Sequence, residues 1–290
     1  MKQYLRDILI TLAMGIALTI PFEVFYSHKS NMMTYQHDYL EQHPDRIKPL
    51  ILGHSQSAYG INPYAMGDST FNLAISGRII HFDALLLKKY IDRMTNLKAV
   101  IYPMHYAFSG GCRFFNDDYN QHHIIFTHAR FMDLPNDRYP IRSALSFSTV
   151  LSDHFDWKNY ADTSATIDSM GYTKITGCND WFASDLMQQE GQAEFTDDLT
   201  EMARLCQAHG VRLIVVTFPL KARAQEQTTP EGIQNMHDVI AEVRQHYPIE
   251  YHNYMCDTLF ASDSLYFDCT HFNHTGATAF TKRIKADFSL

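Results

Sequence analysis

Apolar runs and helical stripes alternate along much of the chain. Pro49 to Gly53 is an apolar run that stops at a glycine, and it reads as a buried strand opening onto a turn. Ser69 to Ile75 is rich enough in β-branched and apolar residues for a second strand, ending at Ser76-Gly77. From Arg78 to Met94 the apolar residues Ile79, Phe82, Leu85, Leu86, Tyr90 and Met94 recur at steps of three or four, which predicts a helix. Leu97 to Pro103 is a third strand. Strand, helix, strand in this order implies parallel pairing with right-handed crossovers.

The pattern then breaks. Residues from His105 to about Glu190 are irregular and aromatic, with short helices expected near Ile141–Asp153. A stretch this long is read as a cap over the crevice, or as decoration on a sheet edge. Regular order returns with an amphipathic helix over Glu194–His209, closed by Gly210. Val211–Pro219 is almost wholly apolar, as a central parallel strand should be. Pro230–His246 is a helix, Ile249–Tyr254 a fifth strand, and Thr275–Phe288 a C-terminal helix. The expected fold is α/β: a flavodoxin-like, doubly wound parallel sheet of order 2-1-3-4-5 over 48–290, with the cap inserted at about 105–190.

The N-terminus has a different pattern. Lys2 and Arg6 precede an apolar segment from Ile8 to Phe22, which Glu23 interrupts and Val24-Phe25-Tyr26 extends. Its length lies between a signal-peptide core and a bilayer span. Residues 1–26 are therefore read first as a signal anchor, or membrane helix, holding an exported domain. A cleaved signal peptide and a buried cytosolic helix are the alternatives. The polar residues 27–47 suit a juxtamembrane stalk or short helix.

Composition narrows the field. With 46% hydrophobic and 19% charged residues, the 290-residue chain is globular rather than disordered. A net charge of −8 without any Lys/Arg run argues against nucleic acid as partner. The 16 histidines are scattered without metal-ligand spacing and are read mostly as surface or loop residues. No metal is expected. The first loop lacks GxGxxG and no P-loop occurs, so no nucleotide cofactor is expected either. The five cysteines form no CxxC pair, and Cys206 falls on the buried face of a predicted helix.

Candidate chemistry lies at two loops. Ser55 follows the first strand, where open α/β sheets place their ligand crevice, although a serine there also suits a helix N-cap. Asp268 and His271 precede the last helix. A serine hydroxyl becomes a useful nucleophile when a histidine takes its proton and a carboxylate orients that histidine. In a 2-1-3-4-5 sheet both loops can meet at the C-terminal edge.

These residues carry a resemblance. Ile51-Leu52-Gly53-His54-Ser55, then Phe71-Asn72-Leu73-Ala74-Ile75-Ser76-Gly77, then Asp268 to His271 resemble, in order, three sequence blocks of the SGNH/GDSL hydrolases, a superfamily of serine esterases, lipases and carbohydrate deacetylases. The resemblance covers roughly Lys48–Met104 and Arg204–Leu290. It implies Ser55 as nucleophile, His271 as general base and Asp268 as its orienter, with the Ser55 and Gly77 N–H groups stabilising the oxyanion. The family's Asn after the third strand is missing. His105 or Tyr106 stands in its neighbourhood as a candidate donor, or the hole has two donors. His54 replaces the family's Asp beside the serine.

An N-terminal anchor joined to such a domain resembles bacterial envelope proteins that add or remove O-acyl groups on polysaccharides. The implied partner is an acylated glycan substrate, with the membrane held through the N-terminal helix. The alternative is a non-catalytic SGNH-like protein that binds glycans or serves envelope assembly, which the missing Asn favours. A third reading is a cytosolic flavodoxin-like binding protein.

Overall fold

The computed structural model describes residues 2–28, 32–105, 168–179 and 193–290. The chain divides into two compact units, Met1–Tyr35 with Phe114–Ala165, and Gln36–Arg113 with Thr166–Leu290.

In the first unit, helix α1 spans Lys2–His28 and contains Pro21. Its apolar side chains, among them Leu5, Leu9, Leu12, Ile16 and Leu18, are exposed. The expected membrane anchor is thus a helix. Even so, among the described residues no helix is long and apolar enough to cross a membrane.

The second unit carries the sheet. Helix α2 (Met32–Gln42) leads into it, followed by β1 (Pro49–Ile51), α3 (Ser55–Gly60), α4 (Pro63–Met66), β2 (Phe71–Asn72), α5 (Ile80–Tyr90) and β3 (Ala99–Pro103). Then come α6 (Ala193–Ala208), β4 (Arg212–Thr217), α7 (Ala222–Gln225), α8 (Pro230–His246), β5 (Glu250–Asn253) and α9 (His274–Phe288). All four strand pairings are parallel and the sheet order is β2-β1-β3-β4-β5, as expected. Every residue of β3 is buried, and so is every residue of β4 after Arg212. A continuous apolar strand fits only where both faces of a sheet are covered.

The strands are shorter than their apolar runs. β2 keeps two of the seven residues expected of it, because it lies at the sheet edge. Its Asn72 N–H donates to the Met170 carbonyl at 2.9 Å, and the Gln36 amide donates to the Asn72 carbonyl at 3.2 Å. Neither partner is a strand. Part of the segment read as a stalk is packed: Leu40 and Ile47 are buried, and Tyr39 stacks on Phe71 with ring centroids 4.1 Å apart. The expected cap and its short helices at Ile141–Asp153 lie outside the described residues, except for His105 and residues 168–179. Tyr172, from that stretch, is buried and its hydroxyl lies 3.2 Å from His274 Nδ1 at the start of α9. Cys206 is buried as expected, which pushes its thiol up to about 12.

Candidate active site

The turn that carries Ser55 is set by a close approach of two strands. Leu50, Ile51 and Leu52 are fully buried, and the Leu52 N–H still donates to Ile101 of β3 at 3.0 Å. The chain then leaves the sheet at Gly53 with φ +111°, a region that side chains rarely adopt. A Cβ here would also collide with the Pro103 ring. Glycine is required on both counts, and the turn delivers Ser55 to the first position of α3. His54 caps that helix, its Nδ1 accepting the Gln56 N–H at 3.4 Å.

The second loop is built around one carboxylate. Asp268 Oδ1 accepts the backbone N–H groups of Thr270 and His271, each at 2.8 Å, and the Thr270 hydroxyl at 3.2 Å. Those bonds fold the loop tightly, so that Oδ2 faces the His271 ring and accepts Nδ1–H at 2.7 Å. The other ring nitrogen, Nε2, lies 2.8 Å from Ser55 Oγ and accepts its proton. This tautomer follows from the carboxylate on Nδ1. Burial pushes the Asp268 carboxyl up, but the His271 hydrogen bond and charge, with the two N–H groups, outweigh it and hold it below the usual carboxylate range. The Gln56 amide donates to the Thr270 carbonyl at 3.3 Å and ties the two loops together. Tyr59 meets the His271 ring edge-on, with centroids 5.5 Å apart.

Gly77 sits in a turn closed by the Arg78 N–H donating to Ile75 O at 3.1 Å, with φ +77°. It is exposed, and the turn is joined to the Ser55 turn by the Ile75 N–H donating to Gly53 O at 3.0 Å. Among the described residues, neither the Ser55 nor the Gly77 N–H donates to a backbone carbonyl.

The family's missing Asn has a histidine near its place. His105 follows β3 and is buried, as is His54, their rings edge-to-face with centroids 6.3 Å apart. These two depart from the expectation of surface histidines, because both are enclosed where β1 and β3 end. Burial, with the His271 charge, drives His105 down to about 3. Burial, with the His105 and His271 charges, drives His54 well below the ordinary imidazole range. Both are neutral near pH 7. The other candidate donor, Tyr106, lies outside the described residues. Among the described residues no group of three or more His, Cys, Asp or Glu could hold a metal ion.

Sequence reasoning missed several supports. Asn72 donates from its amide to Ser57 O and Ile61 O, each at 3.0 Å, and accepts from the Ala74 N–H at 3.0 Å. It thereby pins α3 to the strand beside it. Arg78 and Asp83 form a buried ion pair under the two turns. An Asn inside an apolar strand pattern was a visible signal for the first. The pair gave none, since both fall near the start of a helix where charge is ordinary.

The sheet has the order expected from the resemblance to the SGNH/GDSL hydrolases, and the loops that carry Ser55, Asp268 and His271 meet. No protein-family model and no curated protein matches the sequence. Among solved structures, it is similar to one described as a platelet activating factor from Streptococcus pneumonia, with 11% identity, a TM-score of 0.46, and coverage of 96% of this chain and 99% of that one. Another is described as an acylhydrolase from Bacteroides fragilis, with 10% identity, a TM-score of 0.42, and coverage of 87% and 94%. A GDSL-like lipase from Bacteroides thetaiotaomicron has 10% identity, a TM-score of 0.42, and coverage of 89% and 98%. At these values the likenesses carry no functional weight, and a catalytic reading rests on the side chains.

Proposed function

We propose that the protein is a serine hydrolase of the SGNH type that cleaves O-acyl esters through a Ser55 acyl-enzyme. One observation carries the proposal. His271 bridges Ser55 Oγ at 2.8 Å and Asp268 Oδ2 at 2.7 Å. These are the contacts a general base and its orienting carboxylate need. Ser55 Oγ attacks the acyl carbon while its proton passes to His271 Nε2. Asp268 remains ionised and stabilises the imidazolium. The Ser55 and Gly77 N–H groups receive the oxyanion, with neutral His105 as a candidate third donor. Collapse of the tetrahedral intermediate breaks the ester C–O bond, and His271 returns the proton to the departing alkoxide. Water or a sugar hydroxyl, deprotonated in turn by His271, then attacks the acyl-enzyme and frees Ser55.

The substrate class we propose is an acylated extracellular or cell-envelope polysaccharide, with the domain exported behind its N-terminal helix. The basic start at Lys2 and Arg6 before an apolar run supports export, and protease accessibility of the domain in intact cells tests it. The catalytic core of the proposal is tested by purified protein and a chromogenic acetyl ester. Turnover and fluorophosphonate labelling at Ser55 are expected, and Ser55→Ala abolishes both. A second reading, a non-catalytic glycan-binding or assembly protein, is favoured by the absence of an Asn after β3. A folded protein whose Ser55 takes no label supports it.

A further inference from the structure

The two loops that carry the oxyanion N–H groups are braced from beneath by one buried ion pair. Arg78 and Asp83 have side chains that are 2% and 0% exposed, with Arg78 Nη1 3.3 Å from Asp83 Oδ1. Arg78 Nη1 also donates to Leu73 O at 2.6 Å, at the exit of β2. Asp83, one turn into α5, accepts the Gly53 backbone N–H. The backbone completes the circuit: the Arg78 N–H donates to Ile75 O, and the Ile75 N–H donates to Gly53 O.

Three members of this ring, Gly53, Ile75 and Arg78, lie within two residues of an oxyanion donor. Gly53 is two residues from Ser55, and Arg78 adjoins Gly77. Placing charge under an apolar sheet edge is costly, and a hydrophobic pair would pack there as well. Geometry is what the pair offers in return. A guanidinium has fixed donor directions, and here one of its nitrogens meets a carboxylate and the β2 exit together.

We infer that Arg78 and Asp83 are positioning residues that set the relative placement of the Ser55 and Gly77 N–H groups, and so tune oxyanion stabilisation without touching substrate. The inference rests on the esterase reading above. It does not rest on the His105 assignment. Misplacing an oxyanion donor weakens the transition state more than the ground state, so its signature falls on kcat rather than KM.

The test uses the full-length, isotope-labelled protein with Asp83→Asn, Asp83→Leu paired with Arg78→Met, and Arg78→Lys. Amide hydrogen exchange is read at the three hydrogen-bonded amides of the ring, Gly53, Ile75 and Arg78, with the β3 and β4 amides as an internal reference. In Asp83→Asn, exchange at these three amides is expected to rise about tenfold or more while the reference amides are unchanged. On the acetyl ester, kcat is expected to fall on the order of tenfold to a hundredfold with KM nearly unchanged, and Arg78→Lys, which keeps a cation beside Asp83, is expected to lose less. The double variant leaves no lone buried charge, so it keeps the test available if Asp83→Asn fails to fold, and the same local pattern is expected of it. Unchanged exchange at the three amides overturns the inference. So does wild-type kcat in a folded variant. If the wild-type protein itself does not turn over the ester, the esterase reading fails, and the exchange data decide the bracing role alone.

Discussion

His271 Nε2 and Ser55 Oγ lie 2.8 Å apart although 216 positions separate them in the chain. Two unrelated devices produce the meeting. A glycine pressed against the end of β3 throws the serine out of the sheet, and a carboxylate gathering two backbone N–H groups aims the imidazole back at it. Removing the alcohol or the ring should therefore abolish chemistry and leave the fold intact. Ser55→Ala and His271→Ala are each expected to lower ester turnover by on the order of 10⁴-fold or more, as removal of a member of such a unit does elsewhere. Circular dichroism should match the wild type in both variants, and thermal melting should match it in Ser55→Ala. Measurable turnover in Ser55→Ala would remove the serine from the mechanism.

Asp268 acts through His271 and also shapes its own loop. Asp268→Asn keeps an acceptor for the Thr270 and His271 N–H groups but offers the imidazole a neutral amide. A large fall in kcat with little change in KM is expected, from steady-state kinetics on the same ester. The carboxyl is held below its ordinary value in the folded protein, so the stability it contributes is present above the unfolded-state value. That contribution is lost as pH falls through the folded value. Asp268→Asn should remove this part of the acid destabilisation, which melting between pH 5 and roughly pH 2 reads.

Gly53→Ala is predicted to damage both stability and activity. The new Cβ meets the Pro103 ring, and φ +111° is unfavourable for any residue with a side chain. Backbone strain of this kind costs about 1–3 kcal/mol, before the collision is counted. Denaturant melts should register the loss, and the displaced Ser55 should show slower fluorophosphonate labelling. Wild-type behaviour in both assays would mean that the close packing of the turn on Pro103 is not required.

The buried histidines make the protein sensitive to acid well above the carboxylate range. His54 and His105 have folded pKa values below the unfolded one, so between them the unfolded chain binds more protons. Stability accordingly rises with pH in that window, and it falls as pH drops from near 6.5 toward about 3. Each fully buried imidazole contributes at most about 1.4 kcal/mol per pH unit. Melting temperatures measured at pH 7, 6 and 5 should decline, and His105→Gln should flatten the slope. An equal slope in the variant would show that the ring protonates freely in the fold.

His105 also distinguishes a two-donor from a three-donor oxyanion hole. If the neutral ring donates, His105→Ala should lower kcat by roughly 10²-fold with KM little changed, and His105→Asn should restore most of it. Equal turnover in all three proteins would leave the Ser55 and Gly77 N–H groups as the whole hole.

Legibility in the sequence followed burial on two faces. β3 and β4 are covered on both sides, so their buried residues are almost all apolar and the runs announced themselves; the helix over Pro230–His246 was likewise legible. β2 was overestimated because its apolar residues continue past the point where the strand stops pairing. The two loops that carry Ser55, Asp268 and His271 were readable because glycine, serine, aspartate and histidine each had a backbone or chemical reason for their place. Arg78, Asp83 and the enclosed His54 and His105 were not, because polar residues near helix starts and loops normally meet solvent. Only tertiary packing buries them.

The short β2 rim has a bearing on how the molecule behaves in a crowd. An open strand invites a second chain to add its own, which is how many sheet proteins precipitate. Here the outward-facing Asn72 groups already belong to Gln36 and Met170, so this border of the sheet cannot serve as a template. Loosening either cover, for example with Gln36→Ala, would turn a closed margin into a seed for self-association.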